Sequence, residues 1–171
     1  AGRFVEAEHS FRAALQLGKE DADLLFKLAA VLVSLKRDAE AVEIYRKALA
    51  LRPSFPDACN NLANLLAGMG RDAEAESTYR QALAQQPGSA AIHCNLGFLF
   101  QRAGRFEEAE MAYQEAMAIQ PDFAVAFNGF GNLCAARGRS FESEQAYRRA
   151  IALQPDYADA HNNLGNLLKS L

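Results

Sequence analysis

Apolar positions along this chain repeat on two scales. Locally, the stretch LLFKLAAVLVSL, residues 24–35, carries apolar side chains over most of a helical surface and predicts a buried helix. A more polar helical stretch follows it, and the couple then returns. PSFPDACNNLANLLAGMGRDAEAESTYRQALAQQ aligns without a gap to PDFAVAFNGFGNLCAARGRSFESEQAYRRAIALQ, and one unit lies between them, so the step is 34 residues. Pro53, Pro87, Pro121 and Pro155 keep that step. So do Ala14, Ala48, Ala82, Ala116 and Ala150; Phe11, Tyr45, Tyr79, Tyr113 and Tyr147; and the small series Ala29, Ala63, Gly97, Gly131 and Gly165.

Each unit reads as two helices. The first runs from near the proline to a turn such as GMGR or RAGR, where Gly70, Gly104 and Gly138 suit a left-handed helix stop. The second is expected to start at Asp38, Asp72 or Ser140, residue types that cap helix N-termini. Glu40, Glu74, Glu108 and Glu142 then fall in its first turn, where a carboxylate meets the positive helix end. Ser54 with Asp57, and Asp156 with Asp159, are expected to form capping boxes for first helices. A small residue at one fixed place in every unit lets neighbouring helices approach, and the aromatic fills the space beside it.

The spacing of Leu62, Ala63, Ala75, Tyr79, Ala82 and Pro87, repeated in Leu96, Gly97, Ala109, Tyr113, Ala116 and Pro121, resembles the tetratricopeptide repeat over the whole chain. The resemblance implies an all-α fold, a right-handed superhelical solenoid of antiparallel helix pairs. In that frame, 1–21 is a half repeat, 22–55, 56–89, 90–123 and 124–157 are full repeats, and 158–171 is a first helix alone. Two departures stand out. The family's tryptophan is replaced by Leu25, Cys59, His93, Phe127 and His161, with Cys59, His93 and His161 expected to pack between paired helices. Ser143 stands where other units have alanine. The chain starts without Met and stops mid-unit, which predicts a piece of a longer array, or ends that pair with another copy.

Composition narrows the chemistry. Of 171 residues 50% are hydrophobic, enough for a substantial core, and the net charge of −3 offers no basic footprint for nucleic acid. No stretch is long and apolar enough to cross a bilayer. Three cysteines at unrelated spacings argue against a disulfide framework or zinc site and fit a reducing, cytoplasmic setting.

The asparagines carry the functional signal. All nine, Asn60, Asn61, Asn64, Asn95, Asn128, Asn132, Asn162, Asn163 and Asn166, fall at the fifth, sixth or ninth place of a first helix. Those places point to the inner surface of a curved stack of helix pairs, and propensity alone would have put asparagine in turns and caps. A carboxamide offers both donor and acceptor, matching a peptide backbone. First helices about 8–10 Å apart would present a rung to roughly every third residue of an extended chain rising about 3.3 Å per residue. Phe26 and Phe98 occupy the same stripe and are candidate side-chain anchors.

This arrangement also resembles the concave asparagine ladder in the repeat domain of the O-linked N-acetylglucosamine transferase family, most closely in FPDACNNLANLL and YADAHNNLGNLLK. The expected function is a protein-interaction scaffold binding an extended peptide. The alternative is the substrate-recruiting arm of a larger, glycosyltransferase-like enzyme. Self-association through uncapped terminal helices is a third possibility. A carboxylate clamp is disfavoured, because Lys27 is the sole base at the second, fifth and sixth inner places. Cys59, His93 and His161 occupy equivalent places of different units, too far apart to share a metal. No cofactor fingerprint and no catalytic constellation is present.

Overall fold

The structure, a computed structural model, describes residues 2–18 and 21–171. Residues 1, 19 and 20 of the expected half repeat 1–21 lie outside the described residues. The described residues form ten α-helices and no strand. The helices are α1 (Gly2–Gln16), α2 (Ala22–Ser34), α3 (Asp38–Leu51), α4 (Pro56–Gly68) and α5 (Asp72–Gln85), followed by α6 (Ala90–Arg102), α7 (Phe106–Ile119), α8 (Ala124–Ala136), α9 (Ser140–Leu153) and α10 (Ala158–Ser170). They gather into two compact units, residues 1–87 and 88–171.

In the first unit α2 packs on α3 and α4 on α5, with α1 against α2 and α3 against α4. The short turns make each pair antiparallel. Leu28, Ala29, Leu32, Val42, Tyr45, Ala48, Cys59, Ala63 and Leu66 are sealed from solvent. Fully burying each leucine contributes roughly 1.5–3 kcal/mol. In the second unit α6 pairs with α7 and α8 with α9, and α10 lies against α8 and α9.

The small series has a steric cause in the second unit. A methyl group at Gly97 would stand 2.7 Å from the Tyr113 ring, and one at Gly131 would stand 2.6 Å from the Tyr147 ring. Gly129 is equally tight, 2.6 Å from Tyr113, so that ring is wedged between the backbones of α6 and α8. Ser143 is also explained. It is buried, and its Oγ donates to the Gly131 carbonyl at 2.8 Å, so the hydroxyl replacing a hydrogen of alanine carries its own partner.

The turns follow the expectation for glycine. Gly70, Gly104 and Gly138 have φ of 75°, 73° and 71°. The next residue closes the turn: Arg71 N donates to Leu66 O at 2.9 Å, Arg105 N to Phe100 O at 2.9 Å and Arg139 N to Cys134 O at 2.9 Å. This is the Schellman pattern. After α2 the same place is held by Lys36 at φ 62°, with Arg37 N on Leu32 O at 3.0 Å.

The expected caps are corrected. The N-caps of the second helices are Arg37, Arg71 and Arg139, one residue before Asp38, Asp72 and Ser140, and no side chain caps them. The turn hydrogen bond fixes the arginine, so the acid or serine enters the helix as its first residue. The capping boxes also fail. Phe55 and Tyr157 hold the N-cap places of α4 and α10, without a side-chain cap bond. Of the tryptophan replacements, Cys59 is buried and His93 half-buried. His161 is exposed, with Nε2 2.9 Å from the Pro155 carbonyl, rather than packed between helices.

The N-cap arginines build an ionic ladder. Each bonds the glutamate three residues on: Arg37 to Glu40, Arg71 to Glu74 (2.7 Å), Arg105 to Glu108 (2.5 Å) and Arg139 to Glu142. Three of these pairs also reach the preceding second helix. Arg37 bonds Glu8 at 2.7 Å and Arg12 bonds Glu40; Arg46 bonds Glu74 at 2.9 Å; Arg139 bonds Glu110 at 2.8 Å. Hydrogen bonds from Arg12 hold Glu8 and Glu40 below the usual carboxylate range, as Arg71 does Glu74 and Arg139 does Glu142. The exposed pairs among them are individually weak, whereas those to Glu8 meet a buried carboxylate.

Two predictions follow from this geometry. Lys36→Gly relieves a left-handed residue and is expected to raise unfolding stability by up to about 1 kcal/mol, read as a higher urea midpoint at unchanged slope. The ladder makes stability acid-sensitive. Carboxyl groups depressed in the folded state contribute stability that is present above their unfolded pKa of about 4.3 and is lost as pH falls through the folded values. The thermal midpoint is therefore expected to hold from pH 7 to about 5 and to drop below. A variant with Glu8, Glu40, Glu74 and Glu142 changed to Gln should show a flatter profile, and equal slopes in both proteins would refute the assignment.

Candidate interaction surface

The inner stripe begins with the tyrosines that pack the repeats. In the first unit the hydroxyl of Tyr79, on α5, donates to Asn64 Oδ1 on α4. Tyr45, on α3, lines the same pocket as the Asn61 side chain, and burial pushes its hydroxyl pKa up. In the second unit Tyr147, on α9, donates to Asn132 Oδ1 on α8 at 2.7 Å. A phenol can donate to the oxygen of a carboxamide and not to its nitrogen, so Asn64 and Asn132 each have one orientation fixed. Neither bond uses the two N–H donors of the amide.

A concavity recurs at one register. In the first unit a pocket of about 430 Å³ opens between α2 and α4, lined by Ala30, Val33, Tyr45, Asn61, Asn64 and Leu65. In the second unit a pocket of about 290 Å³ is lined by Ala135, Ser140, Tyr147, Asn163, Asn166 and Leu167. A shift of three repeats carries Val33 onto Ala135, Tyr45 onto Tyr147, Asn61 onto Asn163, Asn64 onto Asn166 and Leu65 onto Leu167. The same design, a tyrosine behind two carboxamides beside an aliphatic floor, thus appears in both units.

Other expected residues are placed differently. Asn128 is buried, accepting from Asn163 Nδ2 at 3.0 Å and donating to the Tyr157 hydroxyl at 3.5 Å, and so ties α8 to α10. Asn60 and Asn95 are half-buried on α4 and α6, and Asn162 is exposed on α10. Phe26 is engaged internally. Its ring centroid lies 5.0 Å from Phe55 and 6.0 Å from Tyr45, and Arg52 covers Phe55 at 4.7 Å while bonding Asp23 at 2.5–2.9 Å. Phe98 stays 39% exposed, edge-on to Tyr113 at 5.4 Å, at the place Asn64 and Asn132 hold on their helices. With no carboxamide beside it, the Tyr113 hydroxyl donates to Gln101 at 3.0 Å instead.

The tyrosines that orient these carboxamides are what sequence reasoning missed. Their step of 34 was visible but fully accounted for by packing. The thiols offer no alternative chemistry. Cys59, Cys94 and Cys134 are buried, and burial pushes Cys94 up to about 12 and Cys134 to about 11, so they persist as unreactive thiols. Among the described residues no three His, Cys, Asp or Glu side chains gather as a metal site, and no helix is long and apolar enough to cross a membrane.

Comparison with known proteins places the fold. Tetratricopeptide repeat family models match residues 1–56 and 57–122, and a TPR repeat model matches 131–171. Similar solved structures include a tetratricopeptide repeat protein from Parabacteroides merdae (TM-score 0.86, 22% identity, 98% of this chain and 67% of that one). A thermophilic TPR protein of Thermus thermophilus gives 0.80 at 22% identity, covering 98% and 92%. MamA from Desulfovibrio magneticus gives 0.81 at 19%, covering 92% and 89%. A search of curated proteins finds no match. The matching family models describe the repeat as such, and the likeness to the glycosyltransferase subgroup rests on sequence motifs alone. With helix pairs throughout and repeat models tiling the sequence, the chain belongs to the tetratricopeptide repeat family.

Proposed function

We propose that this chain is a protein-interaction module that takes up an extended segment of another polypeptide along the inner stripe of its first helices. Tetratricopeptide repeat proteins mediate protein–protein contacts, and the carrying observation here is the tyrosine-backed carboxamide pocket recurring in both units. A flexible asparagine would lose side-chain freedom on binding. Asn64 and Asn132 have had that freedom removed by Tyr79 and Tyr147. Their amide nitrogens are donors for carbonyl groups of a guest backbone, and Phe98, at the equivalent place on α6, is an apolar anchor. Asn128, buried and accepting from Asn163, supports this surface rather than supplies its first contact. Such a site reads backbone and tolerates varied side chains. The glycosyltransferase-arm alternative has no structural observation of its own.

Two measurements test this. Dodecapeptides selected from a randomised display library should lose at least tenfold affinity when alternate backbone amides are N-methylated. They should lose as much on Asn61→Ala, Asn64→Ala, Asn132→Ala protein whose helicity is unchanged. N-methylation without effect would rule the backbone grip out. Separately, Tyr147→Phe removes the donor to Asn132 and is expected to cost about 0.5–1.5 kcal/mol of stability. It should also weaken the same peptides through a faster off-rate, because the amide it released must be ordered again.

A further inference from the structure

A second surface lies on the other side of α8. At 3.6 residues per turn, Phe127 and Phe130 point about 150° away from Asn128 and Asn132. With Met117 on α7 and Phe141, Glu142, Gln145 and Arg149 on α9 they line a pocket of about 430 Å³, in which Glu142 is taken up by Arg139. The repeats themselves serve as the control. Where this repeat has Phe127 the others have Leu25, Cys59 and His93; for Phe130 they have Leu28, Leu62 and Leu96; for Phe141 they have Ala39, Ala73 and Glu107. Helix pairs therefore accept other side chains at these three places; Phe127 also packs on the core of Ala124, Ala150 and Ala160, whereas Phe141 is left outward. Phe141 is 75% exposed, in a place other repeats give to a methyl group or a carboxylate.

The charge around this pocket is one-sided. Arg139 lies 5.9 Å over the Phe130 ring but is neutralised by Glu110 and Glu142, and Arg148 pairs with Glu144 at 2.8 Å. Arg149, its guanidinium 5.8 Å over the Phe127 ring, has Ala146 and Gln145 three and four residues back, and no carboxylate of the described residues pairs with it. An aromatic-walled cavity with one unneutralised cation at its rim complements a large apolar side chain with an acid beside it.

We infer that the α8–α9 face is a second docking site, taking a segment of another protein in which a large apolar side chain has an aspartate or glutamate within about one helical turn. The site is independent of the inner stripe. The apolar side chain fills the pocket against Phe127, Phe130 and Phe141, and the acid bonds Arg149.

The test is differential panning of a randomised dodecapeptide display library, with the protein as target and Phe127→Leu, Phe130→Leu, Phe141→Ala protein as counter-target. The triple variant carries the residues that the first full repeat has at these places, so helicity should be retained. Peptides with Phe, Trp, Leu or Met within four positions of Asp or Glu are expected. A synthetic consensus should bind the triple variant at least tenfold more weakly and Arg149→Gln three- to tenfold more weakly, but should bind Asn64→Ala, Asn132→Ala protein unchanged. Should the triple variant not fold, the exposed single variant Phe141→Ala carries the comparison, with a threefold loss expected. An empty differential selection, a consensus without acid, or equal binding by the Phe141→Ala protein would overturn the inference. So would a concentration-dependent dimer abolished by Phe141→Ala, which would assign the face to a second copy of the chain.

Discussion

A tyrosine ring set against a backbone with almost no side chain is the contact on which both units depend. Helices approach closely only where the facing residue is glycine or alanine, and a close approach leaves a slot that a flat ring can fill. Tyr113 takes this furthest, wedged between Gly97 and Gly129 with no room for a methyl group at either. Where alanine occupies the equivalent place, at Ala29 and Ala63, Tyr45 and Tyr79 are still almost wholly buried. The ring adapts by small shifts; the smallness of its neighbour is what the geometry cannot relinquish.

The hydroxyl on that ring extends a packing device to the surface. A buried phenol needs a partner, and the position facing it is the ninth residue of the first helix. Asparagine there satisfies the phenol and is itself oriented, as Tyr79–Asn64 and Tyr147–Asn132 illustrate. Phenylalanine there, as at Phe98, sends the phenol to Gln101 and leaves an exposed ring. Core and surface are coupled one residue at a time, so the chemistry of the inner stripe can vary between repeats without repacking the pair.

Much of the fold was legible because the 34-residue step samples the same physics repeatedly. Left-handed turns at Gly70, Gly104 and Gly138 came from a residue type with one dominant conformational reason to be there. The caps were not legible. Asp38, Asp72 and Ser140 are strong capping residues by type, but a hydrogen bond across the turn had already assigned the N-cap to the preceding arginine. Local propensity lost to a longer-range backbone constraint. The recurring arginine with glutamate three residues on was equally visible, yet what it reaches, Glu8 for Arg37 and Glu110 for Arg139, lies on another helix. Of the candidate site, the positions of the asparagines could be read, but not their division of labour. Asn128 and Asn163 share type and stripe with Asn64 and Asn132, and only coordinates separate an amide that ties α8 to α10 from one held by a tyrosine.

Repetition also supplies a way to recognise what repetition does not need. A residue shared by equivalent places is accounted for by the helix pair; one that departs from them must answer to something else. Ser143 departs and is answered internally, by the Gly131 carbonyl. Phe26 departs from the asparagines of its stripe and is answered by Phe55 and Tyr45. Phe141 has no such answer. Its ring is exposed beside two further phenylalanines and an arginine whose charge no neighbouring acid meets. A ring left 75% exposed keeps most of its apolar area in water, and beside two further rings that area is the surface an incoming segment would cover.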